Sequence, residues 1–401
     1  MRPAGLACAS VSSFIDFQNE IYLQGIGGAV PELPMTADGF EARARELLDA
    51  RAFAYVAGSA SSERTAAANL AAFERFRLVP RMLRGTSGPG ARDTVVEVLG
   101  TKLAAPVLTA PVGVLGLLHE KGEVVVAGVA KELGVGSVLS TASSSTIEEV
   151  GEVAGDWWYQ LYWPADDDLA RSFVQRAERA GAGAIVVTVD TPSLGWRPRD
   201  LELAHLPFLL GKGIANYLSD PVFRAKLPAP PEESEDAMRM AILTWVGLFG
   251  NHTLRPADLA KLRDWTDLPI AVKGVLHPDD ARSVVDAGAD GVLVSNHGGR
   301  QIDNSIAALD ALGPIVAAVG DRADVLFDSG IRTGSDIVTA LALGAKAVCY
   351  GRPWAYALGI AGAPGVRHAL RLLLADFDST MGLSGCADLA GITRDLLAVP
   401  R

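Results

Sequence analysis

The sequence predicts a (β/α)8 TIM barrel of the α/β class, with a helical lead-in before the barrel and a long lid inserted after its fourth strand. Two observations support this fold. Eight short apolar runs recur from residue 105 onward, and segments with helical periodicity alternate with them. The runs are apolar on both faces, as is typical of parallel strands covered by helices. A doubly wound open sheet is the alternative, which is less favoured because no G-x-G-x-x-G follows the first run.

The apolar runs divide the chain into three parts. Residues 1–104 form the lead-in, residues 105–380 contain the barrel, and residues 381–401 form a C-terminal tail. The predicted strands of the barrel are 105–111, 137–141, 158–163, 184–190, 269–275, 291–296, 324–329 and 347–352.

Helical patterns occupy several of the intervals. Segments 122–134, 168–181 and 277–288 each carry a helical stripe and stop at a glycine, which favours a helix end. In the lead-in, the stretch 39–58 has a helical pattern throughout and predicts a helix that packs on the barrel.

The segment of about residues 191–255, between the fourth and fifth runs, is far longer than an ordinary strand-to-helix connection. It has aromatic and apolar patches around a looser stretch, PAPPEESEDA (228–237). We therefore expect a partly helical lid with one mobile section.

Composition excludes several classes of protein. The chain has 401 residues, 49% of them hydrophobic, a net charge of −11 and no run rich in Lys or Arg, so we expect no nucleic-acid partner. The longest uncharged apolar run, residues 103–118, is too short and too interrupted by proline to cross a membrane.

The cysteines and histidines give no sign of a metal site. Cys8, Cys349 and Cys386 lack metal-ligand spacing, and an odd number of cysteines suits free thiols in a reducing compartment. No strong signal peptide is evident, so we expect a cytoplasmic protein. Five histidines lack a partner at ligand spacing and are expected at the surface or at helix ends: His119, His205, His252, His277 and His368.

Polar side chains stand at the exits of nearly all the predicted strands, where the active site of such a barrel lies. Taken alone, the stretch VSNHGGRQID (294–303) could be a polar turn that caps a strand. It belongs, however, to a ring of similar positions, which predicts one common site. The members of this ring are Ser140, Gln160, Tyr162, Thr188, Asp190, Arg197, Lys273, Ser295, His297, Arg300, Asp328 and Arg352.

The loops after the seventh and eighth strands predict a phosphate site. In these barrels phosphate is usually bound there by glycine-rich backbone and an arginine. The alternative is two ordinary glycine turns. The candidate residues are Asp328, Ser329, Gly330, Arg332, Gly351 and Arg352.

The chain resembles the family of FMN-dependent 2-hydroxy-acid oxidases and dehydrogenases over about residues 45–385. The motifs that carry the resemblance are YQLYW (159–163), TVDTPSLGWRPRD (188–200), VKGV (272–275), SNHGGRQ (295–301), FDSGIRTGSD (327–336) and YGRP (350–353). Three further segments are similar to the lactate 2-monooxygenase subgroup: residues 17–35, 195–201 and 216–223.

This resemblance implies how a small 2-hydroxy acid is bound. Arg197 and Arg300 would hold its carboxylate, since planar guanidinium groups suit bidentate contacts. Tyr55 would add a hydrogen bond to the same carboxylate, and Tyr162 would contact the oxygens of the substrate. Trp196, next to Arg197, is the tryptophan expected near the site.

The resemblance also implies the catalytic groups. His297 would take the hydroxyl proton while hydride passes from the α-carbon to the flavin. Asp190 would orient the imidazole and stabilise its cationic form. Lys273 would stabilise negative charge on the reduced flavin, although a lysine in this position could equally be a strand-end salt bridge.

FMN is the implied cofactor. Besides Lys273 and the residues of the phosphate site, two sets of residues would contact the flavin ring of FMN. Each polar residue among them, taken alone, could instead be an ordinary strand-end side chain whose hydrogen bonds are made within the protein. Ser140, Gln160, Thr188 and Ser295 would form hydrogen bonds to the ring, and Pro111, Val112 and Gly113 would lie against it.

Gly113 matches the glycine of lactate 2-monooxygenases, so oxidation by O2 followed by decarboxylation of the retained keto acid is implied. For lactate the products would be acetate, CO2 and water. The alternative for this residue is that glycine merely eases packing. Ala142, Leu194 and Val112 are modest in size, which favours a substrate somewhat larger than lactate.

Other functions stay open. The chain could be an oxidase that releases keto acid and hydrogen peroxide, a flavin-binding barrel without turnover, or an FMN-dependent isomerase. The resemblance also implies a homotetramer or homo-octamer.

Overall fold

A computed structural model describes residues 13–86, 88 and 90–398, so Cys8 and the last three residues of the predicted tail lie outside the described part. The lead-in contains four helices and three short strands. These are α1 (Asp16–Ile26), α2 (Ala37–Leu47), α3 (Ala50–Ala57), α4 (Arg64–Glu74), β1 (Arg77–Leu78), β2 (Val96–Val98) and β3 (Thr101–Leu103).

The stretch 39–58, predicted as a single helix, is two helices. Leu48 leaves helical geometry with ψ 152° and ends α2. Asp49 then accepts hydrogen bonds from the backbone N–H groups of Arg51 and Ala52, and so caps the start of α3. The new helix direction places Tyr55 inside the molecule.

Eight parallel strands form a closed barrel, which confirms the predicted fold class. Each strand lies inside, or within one residue of, a predicted run. The strands are β4 (Val107–Thr109), β5 (Gly136–Ser140), β6 (Trp157–Leu161), β7 (Ile185–Thr188), β8 (Ile270–Val275), β9 (Gly291–Val294), β10 (Asp324–Phe327) and β11 (Ala347–Tyr350). Closure comes from β11, whose Cys349 pairs in register with Leu108 of β4.

Helices surround the barrel, and the predicted helices 122–134, 168–181 and 277–288 correspond to the first, third and ninth of the twelve that follow. In chain order they are α5 (Gly122–Leu133), α6 (Ile147–Val153), α7 (Asp167–Arg179), α8 (Pro198–Glu202), α9 (Ala215–Leu218), α10 (Pro221–Arg224), α11 (Glu235–Leu248), α12 (Leu259–Arg263), α13 (Pro278–Asp286), α14 (Ala308–Val319), α15 (Gly334–Ala342) and α16 (Arg352–Ser384). Within the described ranges, no helix is both long and apolar enough to span a bilayer.

Two buried clusters fill the molecule. The larger one packs the strands against the surrounding helices. The smaller one takes a residue from each barrel strand and fills the space below the strand exits. Its strand members include Leu108, Val138, Trp158, Val186, Ala271, Leu293, Leu326 and Ala347.

The lid contains α8 to α11 and a 3-10 turn, Pro207–Leu210. Aromatic side chains hold it together, since the rings of Phe208 and Phe249 each lie 4.9 Å from that of Trp245. The stretch 228–237 is made of turns until Glu235 begins α11.

The lead-in and the tail meet, because β1 pairs antiparallel with β12 (Leu397–Ala398). Helix α16 runs beyond residue 380, the end predicted for the barrel. The division into lead-in, barrel and tail stays a prediction.

Candidate active site

One cavity lies at the carboxyl ends of the barrel strands. Counted together with the open space at its mouth, its volume is about 1070 Å³. Sixteen of the predicted site residues line it: Tyr55, Pro111, Val112, Gly113, Ser140, Tyr162, Arg197, Lys273, His297, Arg300, Asp328, Ser329, Gly330, Arg332, Gly351 and Arg352.

The remaining four predicted residues lie directly behind the cavity wall. Gln160 donates to the hydroxyl of Thr188 at 3.0 Å and accepts from Ser140 at 2.8 Å. Ser295 accepts a hydrogen bond from Lys273 at 2.9 Å, and Asp190 contacts His297. Gln160 and Thr188 thus form a hydrogen bond with each other, while the side chain of Ser140 lines the cavity itself.

His297 and Asp190 form a close pair, with Nδ1 of the imidazole 2.8 Å from Oδ1 of the carboxylate. Thr191 donates to the same carboxylate oxygen at 2.8 Å. On the other side of the ring, Nε2 lies 3.5 Å from the hydroxyl of Tyr162. Asp190 therefore accepts a hydrogen bond from Nδ1–H, which leaves Nε2 as the basic atom.

The two glycines after His297 have a geometric reason. His297, Gly298 and Gly299 all have positive φ, so the chain leaves β9 through a left-handed turn. A Cβ on Gly299 would lie 2.6 Å from the backbone nitrogen of Ala66. The turn is therefore pressed against α4, and this fixes the direction of the imidazole.

Burial and local charges set the protonation of the pair. Burial lowers the pKa of His297, and Asp190 opposes this shift only in part. Burial alone would raise the pKa of Asp190. At the acid pH where this carboxyl group would take up a proton, however, His297 is cationic, and its charge, the charge of Lys273 and hydrogen bonds from His297 and Thr191 place the pKa of Asp190 below its usual range. At neutral pH the pair is a neutral imidazole beside an ionised carboxylate.

Lys273 remains a cation although it is buried. Burial acts to lower its pKa, but the carboxylates of Asp190 and Asp328 outweigh burial and raise it. Its Nζ lies 3.4 Å from Asp190 and 3.6 Å from Asp328. A fixed positive charge is thus held at the cavity.

Arg197 and Arg300 face the cavity, and no carboxylate side chain among the described residues pairs with either of them. Neither forms a salt bridge with any residue that the structure describes. Arg197 donates to the side-chain oxygen of Gln301 at 3.0 Å, and Arg300 donates to the carbonyl groups of Tyr55 and Gly58 at 2.7 and 2.6 Å. Burial, followed by the charge of Arg300, lowers the pKa of Arg197 to about 10. An anion bound beside Arg197 would stabilise its charged form and raise this pKa.

Arg332 and Arg352 repeat this pattern at the phosphate end. In the described part of the chain neither has a carboxylate partner, and burial lowers the pKa of Arg352 to about 10. Arg352 donates to the carbonyl groups of Val56 and Gly298 and to the hydroxyl of Ser59. Four arginines line one cavity, and none of them has a carboxylate partner among the described residues, which suits a ligand set with two anionic groups, a phosphate and a carboxylate.

Several contributors carried no clear signal in the sequence. Phe208 and Phe249 come from the lid and line the cavity. Thr191 and Gln301 could have been noticed, because each directly follows a predicted site residue. Trp196 is 70% exposed and lies outside the cavity lining, so its predicted place near the site is wrong.

Gly113 is required by packing. A Cβ at this position would lie 2.9 Å from the carbonyl oxygen of Ala142 and 3.0 Å from its Cβ. Backbone cannot yield as the end of a flexible side chain can, so alanine would force the two loops apart. This observation favours the packing explanation for the glycine.

Comparisons with known proteins identify relatives of this chain. A family model described as FMN-dependent dehydrogenase matches residues 44–399. The FMN-dependent alpha-hydroxy acid dehydrogenase qulF of Penicillium citrinum is 42% identical over 96% of each chain. The L-lactate oxidase of Lysinibacillus sphaericus is 38% identical over 93% of this chain and 95% of that protein. A crystal structure of mandelate oxidase is 38% identical, with a TM-score of 0.79 over 91% of this chain and 98% of that one.

Proposed function

This chain belongs to the FMN-dependent dehydrogenase family and is an FMN-dependent 2-hydroxy-acid oxidoreductase, and from this premise we propose that it oxidises an L-2-hydroxy acid with O2 and then decarboxylates the retained keto acid. One observation carries the proposal. The His297–Asp190 pair and two arginines without carboxylate partners among the described residues line or adjoin the same cavity.

Arg197 and Arg300 bind the substrate carboxylate in this proposal. Both line the cavity, and Arg197 is only 7% exposed, so a carboxylate between them would be shielded from water. Tyr55 and Tyr162 line the same part of the cavity and supply hydroxyl groups. These contacts orient the hydroxyl group of the substrate toward His297.

His297 acts as the base. Its Nε2 accepts the proton of the substrate hydroxyl, while Asp190 holds Nδ1–H and stabilises the imidazolium that results. FMN, when bound, supplies the acceptor for the hydride. Lys273 stabilises negative charge in the cavity, because it stays cationic beside its two carboxylates.

The lid supports retention of the keto acid. Phe208 and Phe249 close the cavity on the side of the lid, and both pack against Trp245. A keto acid held there reacts with the hydrogen peroxide made from O2, and the pair gives a carboxylic acid one carbon shorter, CO2 and water.

A second candidate is release of keto acid and hydrogen peroxide. It is favoured by Gly113, since packing against Ala142 accounts for this glycine without any role in decarboxylation.

The walls of the cavity favour a side chain larger than methyl. Val112, Ala142 and Leu194 are small or medium in size, and the lid contributes two phenylalanine rings. We propose branched or aromatic 2-hydroxy acids as better substrates than lactate.

Product analysis under air tests the proposal. The FMN-loaded enzyme is given lactate and a branched 2-hydroxy acid, and O2 uptake, CO2, peroxide and both acids are measured. The proposal predicts one CO2 per O2 and little peroxide. Keto acid and peroxide in equal amounts would establish the second candidate. Failure of any 2-hydroxy acid to bleach the flavin without O2 would leave a flavin-binding barrel or an isomerase.

Cellular location and assembly are also proposals. We propose a cytoplasmic homotetramer or homo-octamer, on the basis of composition and family resemblance. Light scattering after size-exclusion chromatography distinguishes these assemblies, since the chain mass is 42.0 kDa.

A further inference from the structure

Glu123, in the first turn of α5, is a buried carboxylate that the proposed chemistry does not use. It is 5% exposed and forms no salt bridge with any residue in the described ranges. Its Oε1 accepts hydrogen bonds from the backbone N–H of Leu115 at 3.1 Å and of Ser144 at 2.9 Å. Ser145 donates to Oε2 at 3.3 Å. These donors, rather than a cation, offset part of the cost of burying the carboxyl group, and burial still raises the pKa of Glu123.

A single oxygen atom of Glu123 thus joins two loops. One follows β4 and contains Val112 and Gly113, and the other follows β5 and contains Ala142. All three of these residues line the cavity that receives FMN. Glu123 itself stands behind this wall.

The two loops are in close contact. The N–H of Val114 donates to the carbonyl oxygen of Ala142 at 2.7 Å, and a Cβ on Gly113 would collide with the same oxygen. Val114 has φ 58°, a conformation that a β-branched residue rarely adopts. Surrounding contacts must hold such a residue in place.

A small pocket lies behind the wall. Ala110, Val112 and Glu123 line it, and residues of α5 form its far side. Glu123 therefore lies close to the wall residues whose loops it joins.

We propose that Glu123 is a positioning residue whose Oε1 sets the spacing of these two loops, and thereby the shape of the wall against which FMN binds. The bridging oxygen matters and the negative charge does not, because both backbone N–H groups donate to the same atom. The proposal rests on FMN binding and is independent of the fate of the keto acid.

Two variants separate the effect of side-chain length at position 123 from the effect of its charge. Glu123→Gln keeps an oxygen at the bridging position and removes the charge, whereas Glu123→Asp keeps the charge and loses the length of one methylene group. Glu152, exposed on α6, provides matched controls as Glu152→Gln and Glu152→Asp. FMN affinity of the apoprotein is measured by quenching of FMN fluorescence, together with the visible spectrum of bound FMN.

We expect Glu123→Gln to bind FMN within threefold of the parent, and Glu123→Asp to bind at least tenfold more weakly with an altered flavin spectrum. A tenfold loss equals about 1.4 kcal/mol, so the thermal stabilisation that FMN gives should shrink in Glu123→Asp. Both Glu152 variants should match the parent.

Parent-like FMN affinity in Glu123→Asp would overturn the proposal. A tenfold loss in Glu123→Gln would also overturn it, because charge rather than the bridge would then matter. Should Glu123→Asp fail to fold, Glu123→Gln alone tests the proposal. FMN affinity within threefold of the parent would support it, and a tenfold loss of FMN affinity would overturn it.

Discussion

At the scale of single residues, the site depends on how charges are paired. Lys273 has two carboxylates, whereas the arginines that line the cavity have none among the residues described here. A buried guanidinium that donates only to carbonyl groups and neutral side chains is available to an anionic ligand. Lys273 is thus neutralised by side chains of the protein itself, whereas the arginines are free to pair with the substrate and the cofactor.

The role of His297 gives a direct prediction. In His297→Gln the FMN should remain bound, because its contacts lie elsewhere in the cavity, while reduction by a 2-hydroxy acid should slow by about 10²–10⁴-fold. Anaerobic stopped-flow bleaching of the flavin measures this rate. His252→Gln, which changes an exposed histidine, serves as the control. Reduction at the parental rate in His297→Gln would exclude the histidine as base.

The pH dependence of the same rate follows from burial. Burial lowers the pKa of His297 below 6.5, the ordinary value for histidine, so the imidazole remains neutral at a pH where an exposed histidine is half protonated. The rate of FMN reduction should therefore be level down to about pH 6.5 and fall only below it. A rate that already halves above pH 7 would show that the pKa is raised instead.

At the scale of elements, helix α3 links the lead-in to the active site. The carbonyl groups of Tyr55 and Val56, in its last turn, accept hydrogen bonds from Arg300 and Arg352 respectively. The C-terminal end of a helix favours cations, so α3 positions both arginines. The break before this helix, at Leu48 and Asp49, is not evident in the sequence because the helical pattern continues across it.

The barrel elements and the lid differ in how far the sequence predicts them. Strands such as 291–294 were recognisable because an apolar run on both faces of a strand reflects local burial. Phe208 and Phe249 reach the cavity only because α11 folds the lid back over it, which depends on contacts distant in sequence. The polar part of the site was therefore predictable and its aromatic wall was not.

The lid yields a further prediction. Phe249→Leu should loosen the wall beside Tyr162, whose ring lies 5.6 Å from that of Phe249. The keto acid should then escape earlier, and peroxide released per O2 consumed should rise at least threefold. A peroxidase-coupled assay measures this ratio, with Leu209→Ala on the exposed side of the lid as the control. An unchanged ratio would remove the lid from keto-acid retention.

At the scale of the whole molecule, a protein of net charge −11 surrounds a cavity lined by four arginines and a lysine. The exits of the eight strands converge there, so groups from distant parts of the sequence act on one small ligand. The order of the apolar runs already implied this convergence. The hydrogen bonds that orient each group could not be predicted from the sequence, such as the one that Gln301 accepts from Arg197 and the one that Thr191 donates to Asp190.

The most direct test of the central claim is a crystal structure of the FMN-loaded protein with a 2-keto acid bound. We predict that the keto-acid carboxylate contacts both Arg197 and Arg300, that its keto oxygen faces Nε2 of His297, and that the FMN phosphate lies against Arg332 and Arg352. A carboxylate bound away from these two arginines, or an FMN phosphate between them, would contradict the proposed site.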